Sequence, residues 1–255
     1  MAPLSDWLVS APLVIAHRGA SAMAPENTLA AFLAAGAMGA DAIEFDAKPT
    51  RDGAVIAFHD QTLARTTGAA GRPTDLDLAT LQELEAGSWK SSEFEGERIP
   101  TMDMIFETLG GQVLINVELT DYRTDQRALV ALVVTGIRRH RLEHRILLSS
   151  FQSSALREAH RIAPEIPRAH LLGPSWLGLR DRVPQRRAPV EAVHPHDTML
   201  DRQRIAAIRR SGRRVHGYTV NDSERMASLW EWGIDGIVTD VPDLALQARE
   251  MTWAT

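Results

Sequence analysis

The chain has 255 residues, 44% hydrophobic and 24% charged, which is the composition of a globular protein with a sizeable core. Cysteine is absent, and this excludes disulfides, thiolate metal ligands and a cysteine nucleophile. The net charge of −5 argues against general nucleic-acid affinity, and no run reaches the roughly 18 apolar residues of a membrane span. Residues 1–11 lack the basic start of a secretory signal, so we expect a cytoplasmic protein with no stable membrane insertion and no nucleic-acid partner. Nothing in the composition points to an oligomeric state.

Short β-branched runs alternate with longer helical stretches along the whole chain. The predicted strands are residues 13–16, 42–46, 55–58, 113–119, 146–148, 168–172, 191–194, 214–220 and 236–239. The predicted helices are residues 27–38, 78–85, 125–139, 153–161, 201–210, 223–232 and 242–251. Asp201 and Ser223 suit helix N-caps, and Gly212 and Gly233 suit helix ends.

This alternation implies parallel strands joined by crossover helices. A count of about eight such strands in a chain of this length favours an α/β fold of the closed (β/α)8 TIM-barrel type over an open doubly wound sheet. We expect one domain over residues 1–255. Residues 55–58 follow residues 42–46 after the turn Arg51-Asp52-Gly53, so these two strands are expected to lie side by side.

One stretch interrupts the alternation. Residues 61–100 contain several glycines and prolines and only one short predicted helix. We interpret the stretch as an insertion after the second strand region, on the catalytic face where loops after barrel strands build active sites.

Three carboxylates predict a metal site. Glu44 and Asp46 stand two residues apart on one predicted strand, so both side chains point to the same face. Inside a barrel, such a pair either shares a cation or pairs with basic side chains, and we favour the metal because buried paired charges are rare. Glu118, near the end of a neighbouring strand, is the natural third oxygen ligand, and an all-oxygen set favours Mg²⁺ or Ca²⁺.

Two histidines stand at strand ends. His17 ends the first strand and His59 follows the third, and imidazole titrates near neutrality, so one can act as a base and the other as an acid. Arg18 can hold a phosphate bidentately. Asp60 can either orient a histidine ring or cap the following loop.

The segment Pro25-Glu26-Asn27-Thr28 has two interpretations. It can be a helix start with Asn27 or Thr28 as the cap, or Glu26 can add an oxygen to the metal site. The sequence leaves both open.

Taken together, these segments resemble the glycerophosphodiester phosphodiesterase family, from about Val14 to Pro242. The most specific motifs are His17-Arg18-Gly19, Pro25-Glu26-Asn27-Thr28, Glu44-x-Asp46, Asp52-Gly53 and His59-Asp60. Further matches are Arg65-Thr66-Thr67-Gly68, Ala86-Gly87-Ser88-Trp89, Arg98-Ile99-Pro100-Thr101, Ser149-Ser150-Phe151, Tyr218-Thr219-Val220-Asn221 and Gly236-Ile237-Val238-Thr239-Asp240.

The resemblance implies a (β/α) barrel that hydrolyses glycerophosphodiesters to sn-glycerol 3-phosphate and an alcohol. By position, His17 and His59 match the family's general acid/base pair. Glu44, Asp46 and Glu118 match its ligands to one divalent cation.

The same resemblance implies the substrate contacts. Arg18 matches the phosphate-binding arginine, and Glu26 falls on a further acidic position near the phosphate and metal. Phe151 and Tyr218 fall where the family lines the glycerol pocket, although either aromatic could simply fill the barrel mouth.

One departure concerns a lysine. The family usually has Glu-x-Lys where this chain has Glu118-Leu119-Thr120, and Lys48, Arg18 or Arg123 are possible replacements. Two other functions therefore stay open: a lysophospholipase D-like lipid phosphodiesterase, and a barrel that binds a phosphodiester without turning it over.

Overall fold

The computed structural model describes residues 5–9, 12–120, 126–174 and 189–253. The strands are β1 (Leu13–His17), β2 (Ala42–Pro49), β3 (Val55–Ala57), β4 (Leu114–Leu119), β5 (Ile146–Ser150), β6 (Arg168–Leu172), β7 (Ala192–Pro195), β8 (Arg214–Gly217) and β9 (Gly236–Thr239). The α-helices are α1 (Asp6–Val9), α2 (Leu29–Met38), α3 (Ala64–Thr67), α4 (Leu78–Gln82), α5 (Met102–Leu109), α6 (Gln126–His140), α7 (Ser153–Ile162), α8 (Arg202–Arg210), α9 (Ser223–Glu231) and α10 (Pro242–Trp253).

Eight parallel strands close into a barrel with helices between them. The sheet runs in the order β1-β9-β8-β7-β6-β5-β4-β2, and β1 also pairs with β2, which closes the ring. The predicted (β/α)8 barrel is therefore confirmed. The strand β3 lies outside the ring and pairs antiparallel with β2, because the turn containing Gly53, at φ 85°, reverses the chain within a few residues.

Strand β2 shows how a barrel strand is buried on both of its faces. Its odd-numbered residues Ile43 and Phe45 face the surrounding helices, where Phe45 packs edge-on against Phe32 and Phe106 at 6.2 and 6.4 Å. Its even-numbered residues face the interior, beginning with the apolar Ala42. Both faces are buried, as a parallel sheet covered by helices requires.

Helix ends follow the polar residues that can cap them. Thr28 is the N-cap of α2, and its hydroxyl accepts a hydrogen bond from the Ala31 N–H at 3.3 Å. Asp201 caps α8 as predicted, whereas the N-cap of α9 is Asp222 rather than Ser223. Asp222 has the extended backbone that an N-cap needs, so the helix begins at Ser223, one residue earlier than a cap at Ser223 would imply.

Other predicted bounds shift by a few residues. Helix α4 ends at Gln82, three residues before the predicted end, and β8 ends at Gly217 rather than Val220. Residue 125, the predicted start of α6, lies outside the described residues.

Residues 61–100 form α3, α4 and two short 3-10 turns, Pro73–Asp75 and Ser92–Phe94. Leu81 is fully buried there against Ile56 and Phe58, and the neighbouring leucines pack onto the same cluster. The segment is therefore fixed to the outside of β3 by its own small core. Among the described residues, no helix combines the length and the apolar character needed to cross a bilayer.

The amino-terminal end of the barrel is closed by Trp7 of α1. Its side chain is 1% exposed and packs among the apolar residues that begin the strands, including Leu13 and Ala42. Its indole N–H donates to the Arg145 carbonyl at 2.8 Å. Trp7 thus fills the floor of the barrel interior at its amino-terminal end.

We predict that Trp7→Ala lowers the free energy of unfolding by about 3–5 kcal/mol, because it opens a cavity in the barrel floor. Trp7→Phe is the control, since it keeps most of the packing and loses chiefly the indole hydrogen bond, which is worth about 1 kcal/mol. Urea unfolding measures both. A loss for Trp7→Ala no larger than that for Trp7→Phe would contradict this account of the floor.

Candidate active site

The carboxyl-terminal mouth of the barrel holds the polar residues that the sequence singled out. Cα register pairs His17 with Glu44 across β1 and β2, and Asp46 with Glu118 across β2 and β4. A cavity of about 740 Å³ opens at this mouth. It is lined by His17, Arg18, Lys48, His59, Asp60, Gln61, Thr62, Glu118, Thr120, Phe151, Tyr218 and Thr219.

Three carboxylates, of which Glu118 lines this cavity, lie together, and we call them the acidic cluster: Glu44, Asp46 and Glu118. One oxygen from each lies within 4.8 Å of the other two. Glu44 and Asp46 are only 3% and 2% exposed. Burial, together with the neighbouring charges of Asp46 and Glu118, holds the pKa of Glu44 well above its usual range.

The acidic cluster has the chemistry of a metal site. The Glu44 Oε2 atom accepts a hydrogen bond from the Arg18 backbone N–H at 3.0 Å, whereas the buried Oε1 atom has no hydrogen-bond partner among the described residues. A buried carboxylate oxygen without a donor is costly unless a cation lies beside it. The donors are all carboxylate oxygens, which suits a hard cation.

Arg18 connects the acidic cluster to the cavity. Its backbone is left-handed, with φ 56°, and this uncommon conformation turns its N–H toward Glu44. Its guanidinium lies 3.2 Å from Asp46 through Nε and donates to Glu26 through Nη1 at 2.8 Å. Burial alone would raise the pKa of Asp46, but Arg18, His59 and a hydrogen bond from Asn27 hold it below its usual range.

Glu26 is held by two arginines. Its Oε1 accepts from both Arg18 and Arg65, and its Oε2 accepts a second hydrogen bond from Arg65 at 2.8 Å. Burial raises the pKa of Glu26, but these arginines outweigh it and leave the pKa below its usual value. Glu26 does not belong to the acidic cluster, and the helix that follows is capped by Thr28. In this structure both Glu26 oxygens bind arginines, and Glu26 lies outside the three-carboxylate group.

Each of the two histidines has a carboxylate on its Nδ1 atom. His17 Nδ1 lies 2.6 Å from Asp240 Oδ1, and His59 Nδ1 lies 2.8 Å from Asp60 Oδ1. Arg65 in turn donates from Nε to the other oxygen of Asp60 at 2.6 Å. Asp60 thus contacts the His59 ring, as its ring-orienting interpretation requires, and both imidazoles bind their carboxylates through Nδ1.

The carboxylate partners are strongly acidic. Burial raises the pKa of Asp240, but hydrogen bonds from His17, Asn221 and Ser21 lower it to about 2. Burial likewise opposes ionisation of Asp60, yet hydrogen bonds with Arg65 and His59 bring its pKa to about 2. Both groups are therefore ionised at neutral pH and hold their rings by charge-assisted hydrogen bonds.

Two aromatic side chains form the opposite wall of the cavity. Phe151 follows β5 and Tyr218 follows β8, and their ring centroids lie 6.1 Å apart in an edge-on contact. The Tyr218 hydroxyl donates to the Leu172 carbonyl at 2.8 Å, so the ring is held in place. The structure thus brings together at one mouth every side chain that the sequence assigned to the site. Arg123, one possible replacement for the missing lysine, lies outside the described residues.

Comparison with known proteins now decides the family. Residues 17–244 match the model of the glycerophosphoryl diester phosphodiesterase family. A glycerophosphodiester phosphodiesterase of Caldanaerobacter subterraneus is 33% identical over 237 residues, which cover 91% of this chain and 95% of that protein. The chain belongs to this family.

Solved structures of family members have the same fold. A phosphodiesterase of Oleispira antarctica, in complex with the product sn-glycerol-3-phosphate, gives a TM-score of 0.87 at 32% identity and covers 93% of this chain and 96% of that one. A glycerophosphodiester phosphodiesterase of Agrobacterium tumefaciens gives a TM-score of 0.79 at 27% identity, covering 92% and 99%.

The sequence did not predict the site contacts of three polar residues, Asn27, Arg65 and Asp240. In the sequence, Asp240 stands out only as part of a motif. It directly follows β9, and because β9 pairs with β1, Asp240 lies beside His17. Asn27 was considered only as a cap, but its side chain donates to Asp46 at 2.9 Å. Arg65 stands in a matched motif, but nothing in the sequence shows that its guanidinium reaches back to Glu26.

We predict that Asp240→Asn destabilises the protein in a pH-dependent way. The native carboxyl stays ionised down to pH about 2, whereas in the unfolded chain it takes up a proton near pH 4. The stability that Asp240 contributes is therefore complete above about pH 4 and is lost as the pH falls through about 2. Urea unfolding of both proteins at a series of pH values measures the difference, and one that grew on acidification would contradict the assignment.

Proposed function

We propose that this protein hydrolyses glycerophosphodiesters to sn-glycerol 3-phosphate and an alcohol with the help of one divalent cation. The observation that carries the proposal is a cavity lined by Glu118 of the acidic cluster, by two carboxylate-oriented histidines and by Arg18. Membership of the phosphodiesterase family and the likeness to a product-bound phosphodiesterase support it.

The side chains of the site divide the chemistry between them. One of His17 and His59 removes a proton from the attacking oxygen, and the other gives a proton to the leaving alcohol. Asp240 and Asp60 hold these rings by Nδ1, so each imidazole exchanges its proton at Nε2. Arg18 contacts the phosphoryl group, since its guanidinium lies at the cavity wall.

The acidic cluster fits a divalent cation, for which we propose Mg²⁺ or Ca²⁺. Glu44, Asp46 and Glu118 would hold it, and the unpartnered Glu44 Oε1 atom is the observation that favours a bound ion. When bound, the cation supplies positive charge against the phosphoryl oxygens. On the opposite wall we propose that Phe151 and Tyr218 contact the glycerol moiety.

The extent of the domain is also a proposal. We propose one domain over residues 1–255 with an insertion at about residues 61–100. The cytoplasmic location and the absence of a nucleic-acid partner stay predictions from the sequence.

We predict that the purified protein releases sn-glycerol 3-phosphate from glycerophosphocholine in Mg²⁺ or Ca²⁺, and that EDTA abolishes the release. His17→Ala and His59→Ala each lower kcat by about 10²- to 10⁴-fold, the usual contribution of a general acid or base. An enzyme-coupled assay of sn-glycerol 3-phosphate measures these rates. His160→Ala, at an exposed position on α7, is the control and keeps the wild-type rate. Activity that survives chelation, or His17→Ala at full rate, refutes the mechanism.

The substrate panel also tests the lipid alternative. The leucines of the insertion pack into its own core and do not line the cavity, so the structure favours the short glycerophosphodiester. We expect higher kcat/KM on glycerophosphocholine than on lysophosphatidylcholine. The reverse order would establish the lysophospholipase D-like function, and tight binding of glycerophosphocholine without product over hours would establish a binding barrel.

We predict that Mg²⁺ or Ca²⁺ raises the thermal unfolding temperature, and that Glu44→Gln and Glu118→Gln abolish this rise. Because the pKa of Glu44 is raised without the cation, ion binding displaces a proton, so the apparent affinity increases with pH. Differential scanning fluorimetry with a metal titration at two pH values measures both effects. Glu107→Gln, exposed on α5, is the matched control and keeps the metal-dependent rise. Equal metal-induced rises in all three variants would place the ion elsewhere.

A further inference from the structure

Lysine is almost absent from this chain. Of its 28 lysine and arginine residues, only Lys48 and Lys90 are lysines. Lys48 is 4% exposed, although a lysine ammonium is strongly hydrated and is among the groups least often buried. A chain that uses arginine almost everywhere else thus places a compact ammonium inside the barrel mouth.

Lys48 faces the same way as the acidic cluster. It lies two residues after Asp46 and four after Glu44 on β2, so its side chain points to the barrel interior. It lines the same cavity as Arg18, His17 and His59. The ammonium is therefore placed where a substrate anion would lie.

Thr120 fixes the direction of that ammonium. The Lys48 Nζ atom donates to the Thr120 hydroxyl at 3.1 Å and lies 3.4 Å from its carbonyl oxygen. The same hydroxyl donates to the Ala47 carbonyl at 3.1 Å, so its remaining lone pairs are turned toward Lys48. Thr120 is 3% exposed and directly follows β4, which makes it a rigid support.

The charges of the site favour a further positive group beside the divalent ion and Arg18. The acidic cluster carries three carboxylates when ionised, and a divalent ion with Arg18 would neutralise them without excess. Arg65 adds no excess either, since Glu26 and Asp60 share it. A phosphodiester anion that enters this cavity adds negative charge, and the Lys48 ammonium, which lines the same cavity, lies where it can offset that charge.

We propose that Lys48 binds the phosphate of the substrate and that Thr120 is its positioning residue. The proposal rests on the proposed function, because it names a phosphate contact for the same cavity. It also accounts for the departure noted in the sequence: where the resemblance leads one to expect a lysine at position 120, this chain has a threonine that receives the ammonium of a lysine on the neighbouring strand.

The first experiment compares the two lysines. Lys48→Met lowers kcat/KM for glycerophosphocholine by about 10- to 100-fold, the range of a lost hydrogen bond to a charged group. Lys90 donates to the Ser21 carbonyl at 2.8 Å, and Lys90→Met, the matched control, changes kcat/KM by less than about threefold. Equal losses in the two variants would show a general charge effect and overturn the proposal.

The second experiment moves the ammonium to the neighbouring strand. Lys48→Met combined with Thr120→Lys recovers at least tenfold of the lost kcat/KM. Thr120→Val raises KM, and Thr120→Ser, which restores the hydroxyl, returns it to the wild-type value. A double variant that folds by thermal unfolding yet recovers nothing, or Thr120→Ser as impaired as Thr120→Val, argues that Lys48 only balances the acidic cluster.

The third experiment needs no variant in the site and no turnover. With two lysines, selectively ¹³C-lysine-labelled protein gives two side-chain signals, and the spectrum of Lys90→Met assigns them. Adding sn-glycerol 3-phosphate in Mg²⁺ shifts the Lys48 signal and leaves the Lys90 signal in place, while choline shifts neither. A stationary Lys48 signal overturns the proposal. Absence of glycerophosphocholine hydrolysis by the wild type would instead refute the proposed function, and the spectrum would still decide whether Lys48 binds phosphate.

Discussion

The arrangement of this barrel mouth follows from one constraint, the mutual repulsion of three carboxylates on two adjacent strands. The cluster oxygens lie within 4.8 Å of one another, and Glu44 and Asp46 have almost no contact with solvent. The contacts of Glu44 and Asp46 oppose this repulsion: Arg18 approaches both of these carboxylates, and Asn27 donates to Asp46. The left-handed backbones of Arg18 and Asn27, each at φ 56°, are the conformational cost of placing these donors.

The barrel interior has two zones, an apolar floor and a polar mouth, and the acidic cluster lies between them. Below the cluster, Trp7 and the first residues of the strands form an apolar floor, which excludes water from one side. At the mouth, the alternation of a strand brings Glu44, Asp46 and Lys48 to the same inner face. Strand β2 thus supplies both negative and positive side chains. Their order in the sequence determines how far each lies from the floor of the barrel.

The sequence predicts the barrel and the side chains that lie together on one strand. It does not predict the contacts that barrel closure and irregular loops create. The spacing Glu44-x-Asp46 is local, so strand periodicity alone places both carboxylates together. His17 and Asp240 are 223 residues apart in the sequence, and they meet only because β9 pairs with β1 and closes the barrel. The contacts of Glu26 depend on Arg65, which lies 39 residues later in the sequence, outside the barrel strands. Contacts made by closure or by irregular loops leave no periodic signal, whereas contacts along one strand do.

The two histidines are supported by different means, and this gives the insertion a place in the site. Asp240, which orients His17, belongs to the end of a barrel strand and is fixed by the barrel itself. Asp60, which orients His59, is gripped by Arg65 from the insertion, and the same guanidinium holds Glu26, which in turn binds Arg18. Because Arg65 joins these groups, a displacement of α3 would disturb the His59 ring and the Arg18 guanidinium together. Arg65 of α3 therefore supports the site from outside the barrel, while the strand ends support it from within.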